Sequence, residues 1–236
     1  MRAPKLRRTR PSTPVISPRR TYPTIPTATP FRSACLGYTR SVQVLFVCTA
    51  NMCRSPMAAA QFRRLLVEGP DAPDAPEDVS VASAGLLPGG YASPPEVITA
   101  MAELGFDLSG HCSAQISPEL VAAADLILCM GRRHAREVVI LDHRAWGRTF
   151  TLKELVRRGD HRGGRAPGET LAAWLHRLHQ GRERTDLVGR SAEDDVADPI
   201  GGPPDAFRST ARELGALVER VAALLWARRD IRSLPG

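Results

Sequence analysis

A chain of 236 residues that is 43% hydrophobic and 24% charged has the composition of one globular domain with appendages, which excludes a fibrous, low-complexity or wholly disordered protein. Its formal charge of +7 does not point to nucleic acid: nine of the 32 basic residues fall within residues 1–41, where there is no Asp or Glu, and the other 23 basic residues face 25 acidic ones. Cys35, Cys48, Cys53, Cys112 and Cys129 are an odd number at irregular spacings, which argues against a secreted disulfide framework.

In chain order, residues 1–41 are rich in Arg, Pro, Thr and Ser without helical or strand periodicity, and predict a disordered basic tail. They lack the apolar core of a secretory signal, and no window in the chain reaches the ~18 uninterrupted apolar residues of a membrane span. The expected location is the cytoplasm. From Val42 short apolar runs alternate with helical patterns, the rhythm of a parallel sheet with crossover helices, and continue through a domain expected over 42–229, with a short tail over 230–236. Strands are expected at Val42 to Val47, Val79 to Ala82, Leu126 to Cys129 and Arg148 to Thr151. Ser55-Pro56 reads as a helix start with proline at the first helical position, stopping at Gly69-Pro70. Further helices are expected at Pro94 to Leu104, Pro118 to Ala123, Arg132 to Leu141, Leu171 to Leu178 and Ala206 to Ala227. Gly69 to Asp78 and Gly159 to Gly168 read as solvated loops.

The stretch Val44-Leu45-Phe46-Val47-Cys48-Thr49-Ala50-Asn51-Met52-Cys53-Arg54-Ser55-Pro56 ends a buried strand on a thiol. A loop from the carboxyl end of a parallel strand into a helix binds anions, because backbone amides and the positive helix end face the ligand. The same field favours the thiolate of a cysteine placed there. Arg54 can fork two N–H donors onto phosphate oxygens, and Ser55 can donate its hydroxyl to the sulfur as a phosphoryl group leaves. The gap between Cys48 and Cys53 fits neither a redox CxxC motif nor half of a zinc site. Cys129, inside the apolar run Leu126 to Met130, reads as a buried inert thiol. His134, His143, His161, His176 and His179 form no constellation and read as surface residues, and Asp194 and Asp195 as solvated neighbours of the later Asp198.

The segment VLFVCTANMCRSPMA resembles the phosphate-binding loop of the low-molecular-weight protein-tyrosine phosphatases, with their C-x5-R-S signature. Ser83-Ala84-Gly85, Gly110-His111 before Gln115-Ile116, ADLILCMGRRHAREV from Ala124, FTLKEL from Phe150 and Asp198-Pro199 come in the family's order, so the resemblance covers most of 42–227. It implies a four-stranded parallel sheet flanked by helices, and a protein phosphatase that needs neither metal nor cofactor and acts on a phosphorylated protein. It implies Cys48 as the nucleophile that forms a cysteinyl-phosphate, Arg54 as the phosphoryl-binding group, and Asp198 as the acid that protonates the leaving oxygen and then activates water. Thr49, Ala50, Asn51, Met52, Cys53, Arg54 and Ser55 would line the phosphate, with Ile200 against the substrate. Asn51 would hold the loop through Ser83 and His111, Ser55 would tune the thiolate, and Cys53 would trap oxidised Cys48 as a disulfide.

Two positions depart from the family pattern. Ala50 replaces a glycine, which would cost on the order of 1 kcal/mol if the position needs positive φ. Ile200, followed by Gly201-Gly202, replaces the aromatic residue that packs on a substrate ring. Met52 sides with the tyrosine phosphatases, where the protein-arginine phosphatases carry threonine, whereas Asp-Pro-x-Gly-Gly resembles the bacterial branch that includes the arginine enzymes. Phosphotyrosine is the first expectation and phosphoarginine the second. Arsenate reductase on the same fold needs a close relay pair that Cys112 and Cys129 do not form. A catalytically silent phosphate-binding or redox-sensing module is the alternative of another class.

Overall fold

The structure, a computed structural model, describes residues 41–68 and 79–226. The expected basic tail apart from Ser41, the loop read over 69–78 and the expected tail over 230–236 lie outside the described residues. Four strands, β1 (Val42–Cys48), β2 (Val79–Gly85), β3 (Leu126–Cys129) and β4 (Thr149–Thr151), form one parallel sheet in the order β2-β1-β3-β4. Cys48 stands opposite Gly85 on one side, and Val47 opposite Cys129 on the other. The chain runs from central β1 out to β2 and returns across it to β3. That reversal opens a crevice at the carboxyl end of β1, where open α/β sheets bind ligands.

Strand alternation divides the core. Val44, Phe46 and Cys48 of β1, with Leu126, Leu128 and Phe150, face a layer built from α1 (Arg54–Glu68), α2 (Pro95–Ala102), α5 (Leu152–Arg162), α6 (Leu171–His179) and α7 (Pro204–Leu225). Leu45, Val47, Ile127 and Cys129 face the other layer, α3 (Pro118–Ala123) and α4 (Arg132–Leu141). Central β1 is buried on both faces from Val44 onward, which is why it reads as a continuous apolar run. Trp174 and Trp226 both lie in the core of the first layer.

The structure corrects the expectations at three places. Strand β2 continues three residues beyond Ala82, to Gly85, and so runs alongside the whole of β1. Helix α1 begins at Arg54 rather than at Ser55-Pro56, so Pro56 sits in the first turn, where amide N–H groups have no partner within the helix anyway. Helix α5 was not expected, and it takes in the first residues of the stretch read as a loop over 159–168. Gly159 is buried inside α5 because α7 passes close by. A Cβ there would stand 2.5 Å from Cδ1 of Leu224.

Candidate active site

The carboxyl end of β1 turns into α1 through five residues, Thr49 to Cys53, and Asn51 organises that turn. Its φ of +54° is the left-handed conformation that asparagine tolerates better than most residues. Its backbone N–H donates to Cys48 Sγ at 3.2 Å, and its carbonyl accepts from His111 Nε2 at 2.7 Å. A carbonyl can only accept, so His111 carries a proton on Nε2. The Asn51 side chain spends both amide hydrogens, on Ser55 Oγ and Ser83 Oγ at 2.9 Å each, and its Oδ1 accepts from Ala114 N at 2.8 Å. Because Ser55 Oγ accepts from Asn51, its own proton is free to point at Cys48 Sγ, 3.0 Å away. Gly85 completes the cradle: a Cβ there would lie 2.6 Å from Ala50 C and Asn51 N, so only glycine lets β2 pass beneath the loop.

Arg54, the first residue of α1, is buried and points its guanidinium into the same turn. Its Nη1 donates to Val196 O at 3.0 Å, and its Nη2 to Asp198 Oδ2 at 2.5 Å and, more weakly, to Thr49 Oγ1 at 3.4 Å. Asp198 is half-exposed and 144 residues away in the chain, yet it stands on the guanidinium edge. Its other oxygen accepts from Ile200 N at 3.3 Å, which sets the exposed Ile200 beside the carboxylate. Met52 is half-buried in the turn. Cys53 is buried, and burial first, then the neighbouring Cys48 and Asp198, push its thiol up to about 12 against the opposing pull of Arg54. Cys53 therefore stays protonated. Asn51 is the only non-glycine residue with positive φ among the described residues, so Ala50 carries none of the backbone cost expected of it.

A profile of the low molecular weight phosphotyrosine protein phosphatases matches residues 43–167. The protein-arginine-phosphatase of Bacillus subtilis is 32% identical over 187 residues, covering 78% of this chain and 97% of that protein. The chain belongs to the low molecular weight phosphotyrosine protein phosphatase family. Within that family it is also 39% identical over 113 residues to a probable low molecular weight protein-tyrosine-phosphatase, EpsP, of Ralstonia solanacearum, covering 48% of this chain and 71% of that protein. Among solved structures, the low molecular weight protein tyrosine phosphatase of T. tengcongensis superposes with a TM-score of 0.57 at 30% identity, over 78% of this chain and all of that one.

Three residues of this phosphatase were misread from sequence. His134, expected at the surface, is buried in the first turn of α4 with Nε2 2.9 Å from Thr49 Oγ1. Burial, with help from Arg54 and Arg133, lowers its imidazole to about 4, so the ring next to the turn is neutral. The α4 stripe His134, Ala135, Val138 and Val139 carries the helical spacing of a buried face, and that spacing could have revealed it. Asp194, expected in solvent, is buried between Arg132 and Arg157, and Asp195 accepts from the first amide of α4, Arg132 N, at 2.8 Å. Asp195 Oδ1 also stands where a side chain on Gly131 would begin, 2.6 Å from its Cβ position.

Proposed function

We propose that this protein dephosphorylates phosphotyrosine in proteins through a cysteinyl-phosphate on Cys48. The observation that carries the reading is the pair of donors on Cys48 Sγ, from Asn51 N and Ser55 Oγ, beside a guanidinium already bonded to a carboxylate. Those donors support the sulfur as an anion, first as nucleophile and later as leaving group. The Asp198 carboxylate holds the guanidinium edge that a phosphoryl group needs, so substrate binding exchanges one anion for the other on Arg54.

In the first step Asp198, displaced from Arg54 by the substrate and carrying a proton taken from solvent, gives that proton to the departing oxygen as the Sγ–P bond forms and the P–O bond to the tyrosine breaks. In the second, Asp198 takes a proton from water as the water attacks phosphorus, and Cys48 leaves as a thiolate held by Ser55 and Asn51. His111, Ser83 and Asn51 fix the turn, while Thr49, Ala50, Asn51, Met52, Cys53, Arg54 and Ser55 enclose the phosphoryl group. Cys53 serves as the capture thiol: where Cys48 has been oxidised to the sulfenic acid, the Cys53 sulfur bonds to it with loss of water and closes a disulfide. The reaction is assigned to the cytoplasm, where both thiols stay reduced; among the described residues no helix is long and apolar enough to cross a membrane.

Phosphotyrosine is preferred because Met52 offers an apolar wall without a hydroxyl, and exposed Ile200 can press on a ring, though without the additional ~0.5 to 1.5 kcal/mol of aromatic pairing. Phosphoarginine is the second reading, favoured by the near full-length match to the Bacillus subtilis protein-arginine-phosphatase. Competition between paired phosphotyrosine and phosphoarginine peptides tests the choice. Wild type is expected to favour phosphotyrosine, with Met52→Thr narrowing the gap and Ile200→Tyr widening it. A wild-type preference for phosphoarginine would reverse the assignment and leave the loop chemistry intact.

A further inference from the structure

The segment that delivers Asp198, Ser191 to Ile200, contains neither helix nor strand, so something else must aim it. Its anchors converge on the carboxyl end of the sheet. Val196 N donates to Met130 O at 3.0 Å, just beyond β3, and Val196 O accepts from Arg54. Asp195 caps α4, and its other oxygen accepts from Ser191 N at 3.3 Å. Asp194 makes the strongest tie. Its Oδ2 accepts from Arg132 Nε at 2.6 Å, its Oδ1 from Arg157 Nη2 at 2.7 Å, and Arg157 Nη1 reaches Glu193 O at 3.1 Å. Burial alone would raise the Asp194 carboxyl, but the bonds from Arg157 and Arg132 outweigh it and hold the group below the usual carboxylate range.

The two arginines come from helices on opposite faces of the sheet, Arg132 opening α4 and Arg157 within α5. One carboxylate thus fixes the segment against both layers, four residues before Asp198. A buried ion pair is a weak source of net stability compared with apolar packing, whereas it fixes geometry well. We propose that Asp194, clamped between Arg132 and Arg157, is a positioning residue that aims Asp198 at the oxygen leaving phosphorus. The inference rests on the reading of Asp198 as the proton donor.

The test uses the full chain and two substrates, phenyl phosphate with a poor leaving group and para-nitrophenyl phosphate with a better one. Asp194→Asn is expected to lower kcat on phenyl phosphate by about ten- to hundredfold, the scale of a small misplacement of a catalytic group. The loss on para-nitrophenyl phosphate should be several times smaller, with inhibition by inorganic phosphate unchanged. In an Asp198→Ala background the same change should add less than about twofold, because two residues acting as a unit do not sum. Arg157→Gln removes a half-exposed partner, tests the clamp without relying on how well the Asn variant folds, and should show the same pattern at lower amplitude. Equal losses on both substrates, or the same loss in the Asp198→Ala background, would overturn the clamp. A single Asp198→Ala variant that loses both substrates equally would instead overturn the proton-donor reading, a separate result.

Discussion

Cys48 and Cys129 end neighbouring strands of one sheet, a single ladder position apart, and both are buried. Their surroundings differ because the chain leaves the two strands in different ways. After Cys48 it makes a five-residue turn that brings the Asn51 N–H back to the sulfur and enters α1 at Arg54, where the next residue, Ser55, adds a hydroxyl. After Cys129 only Met130 and Gly131 precede α4, and the thiol lies in the apolar layer with Leu45, Val47 and Ile127, where burial pushes it far up. Burial alone makes an inert thiol. A nucleophile needs a strand end joined to a turn long enough to carry donors to the sulfur.

Exchange of sulfur for oxygen breaks this comparison most sharply. Cys48→Ser should lower turnover of para-nitrophenyl phosphate by roughly 10⁴-fold or more, the scale at which loss of a covalent nucleophile is felt. Cys129→Ser should keep turnover within about tenfold and appear mainly as a lower melting temperature, because it buries a hydroxyl in an apolar site. Steady-state assays with melting curves read both.

The donors come next. Asn51→Ala removes three side-chain hydrogen bonds and puts alanine at positive φ. At about 1 kcal/mol for each bond, it should cost roughly 3 kcal/mol of stability by urea unfolding. Turnover should fall about 10²-fold as the turn loses its grip on Cys48.

The last expected effect, absent at neutral pH, concerns His134. Its folded pKa lies near 4, below the ordinary 6.5. Between those values the unfolded chain binds a proton that the folded chain does not. Stability is therefore fully present above pH 6.5, falls by up to about 1.4 kcal/mol per pH unit on acidification toward 4, and changes no further below that from this group. Urea unfolding of His134→Asn beside wild type should show a shallower decline across that window. Parallel curves would show that His134 contributes nothing to it.

The fold was legible where burial is written locally. The run Val44 to Val47 and the stripe along α7 each carry their own period, and strand and helix result from it. Helix α5 was missed although Thr151-Leu-Lys-Glu154 is a helix-start signature, with Thr151 Oγ1 accepting from Glu154 N at 3.1 Å. Gly159 read as a breaker because its reason for being glycine is Leu224, 65 positions further on. In the proposed site, Cys48, Asn51, Arg54 and Ser55 stood out because they themselves fall within one short strand-turn-helix stretch, although Asn51 and Arg54 find partners as far off as Ala114 and Asp198, whereas Asp198 needed the family's order of motifs. Asp194 was not legible, since the arginines that bury it lie 37 and 62 residues away and no local pattern announces a buried carboxylate paired across the fold, whereas the buried stripe of α4 did carry a signal for His134 that was overlooked.

The central claim is that Cys48 takes the phosphoryl group. Acid quenching of the enzyme during turnover, with mass spectrometry of its peptides, tests it directly. The account predicts phosphate on the peptide containing Cys48, none on that of Cys129, and none at all in Cys48→Ala. Phosphate on any other residue, or full turnover by Cys48→Ala, would contradict it.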